Sequence, residues 1–135
     1  MVEYLMRFIG TPYIWAGNTP KGFDCSGLIN EGLKSEGYIG HDEDLTAQMI
    51  HDRLIQGYRR FSPDLYMIQK NDLLFFGPSV KNITHVAIAY DSFQMLEAGG
   101  AGKDCKTVED AVRLNAFVRL RPIAMRKDLV ATVRL

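Results

Sequence analysis

DLLFFGPSVKNITHVAIAYDSFQMLEA, residues 72 to 98, decides the architecture, because its apolar residues recur at the short period of strands. DLLFF (72 to 76) predicts a short buried strand bounded by Gly77 and Pro78. VAIAY (86 to 90) and QMLEA (94 to 98) flank Asp91, Ser92 and Phe93 and predict an antiparallel hairpin. If Tyr90, Asp91 and Ser92 close its loop, His85 lies directly opposite Glu97, on one face, with Cβ atoms about 4.5 to 5.5 Å apart.

Upstream of this segment the pattern is helical. Residues 2 to 9 predict a short helix with Leu5, Phe8 and Ile9 inward, ended by Gly10 and Pro12, and a loop of turn formers runs from Gly10 to Asp24. From Cys25 to about Glu36 the positions Leu28, Ile29 and Leu33 recur at helical spacing, and Gly37 stands where a C-terminal cap is expected. A second helix is predicted from about Thr46 to Gln56, with Asp44 or Thr46 as N-cap, Met49, Ile50 and Leu54 on its buried stripe, and Gly57 at its end. Beyond Pro63 the period shortens. Downstream of GGAG (99 to 102), Val108 to Leu114 predicts one or two helical turns and AFVRLRP (116 to 122) a further strand. Helices followed by strands argue an α+β fold with N-terminal helices packed on a C-terminal antiparallel sheet, and 135 residues fit one domain, 1–135.

Apolar residues are 47% of the chain and charged ones 24%, far from the signature of disorder. Sixteen basic and sixteen acidic side chains cancel, so no strong field steers the chain to nucleic acid or an anionic membrane surface, and neither is an expected partner. No stretch approaches the roughly 20 apolar residues of a membrane span. The N-terminal MVEYLMRFIGTPY places Glu3 and Arg7 in its apolar stretch and breaks at Gly10, so no signal peptide is expected and synthesis is expected in the cytoplasm. Without export, a disulfide between Cys25 and Cys105 loses weight. His41, His51 and His85 fall into no zinc-ligand spacing with either cysteine, so no metal is expected. The acids Asp42, Glu43 and Asp44 beside His41 are expected to cap the following helix.

Cys25 opens a predicted helix, where unpaired amides and a partial positive charge stabilise a thiolate nucleophile. Gly17, Gly22 and Gly27 around it let the backbone turn sharply and a substrate come close. A small cysteine at a helix start is also an ordinary core residue. His85 opens an alternating strand that would hold an imidazole rigidly, though such a histidine is often just a polar strand end. If Glu97 shares its face, the three form a nucleophile, base and orienter; a one-residue register shift would turn Glu97 away.

GTPYIWAGNTPKGFDCSGLI, NDLLFFG and HVAIAYDSFQMLEA, in that order and spanning about Gly10 to Ala98, resemble the NlpC-type papain-like cysteine peptidases (the NlpC/p-sixty superfamily) that cut bacterial cell-wall peptides. The resemblance implies a papain-like fold, with Cys25 of the DCSG motif as nucleophile and the strand-opening His85 as base. The family's orienting residue is usually a histidine before an alanine, and Glu97 before Ala98 stands there instead. The tyrosine of the YxWGG motif maps onto Tyr13, near the oxyanion site, and the residues flanking the cysteine, Asp24 and Ser26, onto a grip for the free amine of the substrate's first alanine. One glycine of that motif is replaced, the chain reading Trp15, Ala16, Gly17, Asn18, and the usual glycine after the histidine and valine is Ala87; both add a methyl group near the cleft. Trp15 is expected to wall the cleft, Asp72 to lead a turn into its strand, and Cys105 to be a spectator thiol.

The implied reaction is hydrolysis of a peptidoglycan stem peptide between D-glutamate and the diamino acid, through an acyl-enzyme and with no metal or organic cofactor. A phage or prophage tail, or another delivery protein, is the expected partner that brings it to the wall. Two rivals come from other classes: an acyltransferase or deamidating effector acting on a protein, and an inactive assembly or wall-binding module.

Overall fold

Helices lead and strands follow in the computed structural model, which describes residues 1–61 and 67–135. The change of period expected past Pro63 has its start outside the described residues. The elements are α1 (Val2–Leu5), β1 (Asn18–Thr19), β2 (Gly22–Phe23), α2 (Cys25–Ser35), α3 (Ala47–Leu54), β3 (Arg59–Phe61), β4 (Leu73–Phe76), β5 (His85–Ala89), β6 (Gln94–Gly99), α4 (Val108–Leu114), β7 (Phe117–Pro122) and β8 (Leu129–Arg134). Among the described residues no helix is long and apolar enough to cross a membrane.

Helices α2, α3 and α4 open on capping side chains, whereas α1 has none. Asp24 caps α2, and at its far end Gly37 takes a left-handed φ of 76° while the Gly37 and Tyr38 amides donate to Lys34 and Leu33. Thr46, not Asp44, caps α3 by accepting the Met49 amide. Thr107 and Asp110 form a reciprocal capping box on α4. Two inward assignments fail. Ile9 is exposed, because α1 tightens into a 3-10 turn at Met6–Phe8 and Val2 points inward with Leu5. Met49 is exposed as well, since α3 packs on Ala47, Ile50, His51 and Leu54.

Among the described residues the main sheet has six strands in the order β3-β8-β4-β5-β6-β7, with every neighbouring pair antiparallel. β4 and β5 are buried on both faces, which is why LLFF and VAIA read as unbroken apolar runs. Phe75, Val86, Ile88, Leu96 and Val133 meet Leu28, Ile29 and Leu33 of α2 in the main core. Leu74, Phe76, Ala87, Ala89 and Met95 form a second cluster with Ile123 on the opposite face.

Three expectations are corrected by the sheet. The segment from Gly10 to Asp24 is not all loop, because β1 and β2 make a small ladder beside α2. The final strand, β8, has no counterpart in the sequence analysis and lies between β3 and β4. The hairpin closes through Asp91–Phe93, pairing Ile88 with Leu96 and Ala89 with Met95. The closure expected above would pair Ile88 with Gln94, so the register at the loop differs from it by two residues. A slip of two preserves the face, so both side chains still stand on one side.

Candidate active site

Cys25 stands at the mouth of α2 because Asp24 stops the extended chain there. The Asp24 carboxylate accepts the Gly27 amide at 2.7 Å and the Ser26 hydroxyl at 3.1 Å, and its own backbone amide donates to the Gly17 carbonyl at 2.9 Å. A helix leaves its first amides without intrahelical acceptors, and that of Cys25 is one of them. The first turn of α2 lies so close to the preceding loop that a Cβ on Gly27 would come within 2.0 Å of the Gly17 carbonyl oxygen. Gly17 and Gly27 thus serve close backbone packing and Gly22 makes room for the Ile14 side chain, and none of the three has a positive φ.

His85 opens β5 and is buried, with Nε2 2.6 Å from Glu97 Oε2. That bond leaves Nδ1 for the thiol, and Cys25 is within hydrogen-bonding reach of the ring. Burial pulls the His85 pKa down, but the Cys25 sulfur and the Glu97 carboxylate overcome it and raise the value to about 9. Burial pushes Glu97 up, yet the bond to His85 and the charges of His85, Arg121 and Arg126 hold its carboxyl below the usual value. Arg121 Nη1 approaches Glu97 Oε1 at 3.5 Å. Both shifts favour the imidazolium and carboxylate forms.

The cleft above these groups encloses about 460 Å³ and is lined by Tyr13, Trp15, Asp24, Ser26 and Arg126 as well as Cys25 and His85. Tyr13 is buried, and burial, reinforced by Cys25, Asp24 and Cys105, raises its pKa so that the hydroxyl remains a donor. A smaller recess of about 150 Å³ adjoins at Asp24, Ser26 and Asp44. Burial raises the Asp24 pKa against the bonds from Gly27 and Ser26, and the charge of Asp44 adds to the rise. That end of the cleft therefore favours a cation.

Trp15 is 45% exposed and walls the cleft as expected. Cys105 is buried and unpaired, as Cys25 is unpaired; its thiol donates to the Tyr13 carbonyl at 3.0 Å and its carbonyl accepts the Trp15 amide at 2.7 Å, so it braces the cleft wall. Ala16 lines the cleft with a left-handed φ of 59°, a conformation that a glycine would adopt without strain. Ala87 lies in the second core cluster, so its methyl group does not narrow the cleft.

Sequence reasoning missed Arg126 and misread Asp44. Arg126 follows the last predicted strand in no motif; its guanidinium donates to both Asp128 oxygens at 2.9 and 2.7 Å and lies over the Phe76 ring. Asp44 accepts from Asn18 and Asn30 instead of capping α3. Glu43 accepts the Gly40 amide and pairs with Arg53. Among the described residues no group of three or more His, Cys, Asp or Glu is placed to hold a metal ion.

The NlpC/P60 family model matches residues 10–121. The chain is 29% identical over 134 residues to the dipeptidyl-peptidase 6 of Lysinibacillus sphaericus, a match covering 98% of this chain and 41% of the relative. It is 30% identical over 103 residues to the gamma-D-glutamyl-L-lysine dipeptidyl-peptidase of Bacillus cereus, covering 75% of this chain and 28% of the relative. The chain thus spans less than half the length of either. The NlpC/p60 domain of the peptidoglycan hydrolase SagA superposes with a TM-score of 0.69 at 24% identity, covering 99% of this chain and 95% of that one. RipD of Mycobacterium tuberculosis, described as a non-catalytic NlpC/p60 domain adapted to binding peptidoglycan, superposes with a TM-score of 0.67 at 22% identity over 99% and 93%. At these identities the likeness establishes the fold alone, and activity must be argued from the side chains in the cleft.

Proposed function

This chain belongs to the NlpC/P60 family, and on that premise we propose that it is a cysteine endopeptidase cutting peptidoglycan stem peptides between D-glutamate and the diamino acid. One observation carries the proposal: a cysteine at a helix mouth within bonding reach of a buried imidazole, itself held by a carboxylate at 2.6 Å. A domain that only binds wall has no use for that relay.

Cys25 Sγ, its proton already held by the His85 imidazolium that the raised pKa favours, attacks the carbonyl carbon of the scissile amide as a thiolate. The developing oxyanion is met by the Cys25 amide and the Tyr13 hydroxyl. Collapse breaks the C–N bond as the imidazolium protonates the departing amine, leaving a thioester on Cys25. His85 then takes a proton from water, whose oxygen attacks the thioester; the sulfur leaves and the acid is released. Glu97 holds Nε2, fixing the ring and stabilising its charged form. Asp24 and Ser26, with Asp44 beyond them, suit a free ammonium at one end of the substrate. The relative named for a gamma-D-glutamyl-L-lysine bond supports the choice of linkage. For the setting we propose a phage or prophage tail, since balanced charge gives the chain no long-range pull toward the anionic wall; detection of the chain in purified virions tests it.

Digestion of purified peptidoglycan with wild type, Cys25→Ala and Glu97→Gln, followed by mass analysis of the fragments, tests the chemistry. Wild type is expected to expose new D-glutamyl carboxyl and diamino-acid amine termini, Cys25→Ala to fold and release none, and Glu97→Gln to be slowed less than Cys25→Ala. Equal release by all three sinks the mechanism. No release by wild type, with acyl transfer or deamidation of a protein substrate, moves the same thiol and imidazole to the effector reading.

A further inference from the structure

The bond between His85 and Glu97 joins the start of β5 to β6, beyond the pairs Ile88↔Leu96 and Ala89↔Met95. Glu97 and Gly99 share one face of β6, and the glutamate side chain lies along the strand over Gly99. A Cβ at that position would stand 2.8 Å from Glu97 Oε1, 3.0 Å from Cδ and 3.3 Å from Oε2, its three nearest neighbours all being atoms of this one carboxyl group.

Nothing in the backbone asks for glycine there. Gly99 is buried, pairs with Phe117 in the β6–β7 ladder and has no positive φ. The carboxylate above it has little freedom to move aside, with His85 on Oε2 and Arg121 on Oε1.

We propose that Gly99 is a positioning residue, whose missing side chain leaves the berth in which the Glu97 carboxylate lies while it holds His85. The proposal rests on Glu97 being the orienter.

Gly99→Ala, made in the full chain, is expected to fold and to lower kcat by about 10- to 100-fold with KM nearly unchanged, the scale of a misplacement of roughly 1 Å. The His85 ring, followed by NMR, is expected to titrate well below the wild-type value of about 9, toward the ordinary 6.5. In a Glu97→Ala background the same substitution should change neither readout. Wild-type kcat and titration in Gly99→Ala overturn the proposal, as does an equal loss in the Glu97→Ala background. If Gly99→Ala alone fails to fold, a folded Glu97→Ala/Gly99→Ala double variant supports the steric berth and an unfolded one overturns it. Unchanged kcat and His85 titration in Glu97→Ala alone would instead refute the orienting role of Glu97 itself.

Discussion

The charge state of His85 ties stability and activity to one pair of side chains. Its folded pKa of about 9 exceeds the ordinary 6.5, so its contribution is fully present below pH 6.5 and is lost as pH rises through 9. Glu97 has the opposite sign: its folded value lies below 4.5, so its contribution is present above pH 4.5 and is lost as pH falls through the lowered value. Both terms are complete between pH 4.5 and 6.5, and urea midpoints should be highest there and decline toward pH 9. In the proposed reaction the imidazolium protonates the leaving amine, so activity should share the alkaline limb. In Glu97→Gln that limb should move to lower pH and kcat should fall by about 10²-fold, measured as a pH profile of kcat/KM and kcat. An unmoved limb would remove Glu97 from the relay. At this scale the sequence was informative where a side chain belongs to a compact motif. Cys25 and His85 were legible from a helix start and a strand start. Glu97 was legible from strand alternation although the register was misjudged by two, because alternation has a period of two. Arg126 and the neighbourhood of Gly99 depend on what crosses the chain in space, and no local spacing encodes that.

Strands and helices were legible in proportion to how local their causes are. α2 and α4 carry their own caps, and the prediction of α4 over Val108 to Leu114 coincides with the helix formed. β8 carries no such signal, since its pattern is short, lies after a proline and is made a strand by neighbours far away in sequence. Asp72 shows the cause. It reads as a turn residue, yet it is fully buried, accepts the Gln69 amide at 2.8 Å and binds the Arg134 guanidinium through both oxygens at 2.7 Å. This fork clasps the entry of β4 to the end of β8. Asp72→Asn keeps the shape but turns amide hydrogens toward the guanidinium, and should destabilise the protein by about 2 to 4 kcal/mol in urea unfolding. Since the clasp is remote from the cleft, kcat per folded molecule should be unchanged; a parallel loss of kcat would show that the clasp also shapes the site.

Across the whole molecule, the family match and the folded unit do not share boundaries. The match ends at residue 121, whereas β8 beyond it lies between β3 and β4, pairing with Arg59–Phe61 on one side and Leu73–Phe76 on the other. Residues 1–9, also outside the match, place Val2 and Leu5 in the main core. A fragment cut at 10–121 would lose Val2, Leu5, Ile123 and Val133, all buried. At about 1.5 to 3 kcal/mol for each large apolar side chain, that removes roughly 6 to 12 kcal/mol, comparable with the whole stability of a typical domain. It would also leave the backbone of β4 unpaired along one edge, beside the strand that carries His85. The fragment 10–121 should therefore show no cooperative thermal transition and no dispersed amide spectrum, whereas residues 1–135 show both. A sharp melt for the fragment would mean that β5, β6 and α2 hold Cys25, His85 and Glu97 together by themselves, and that β8 only covers a sheet already stable without it.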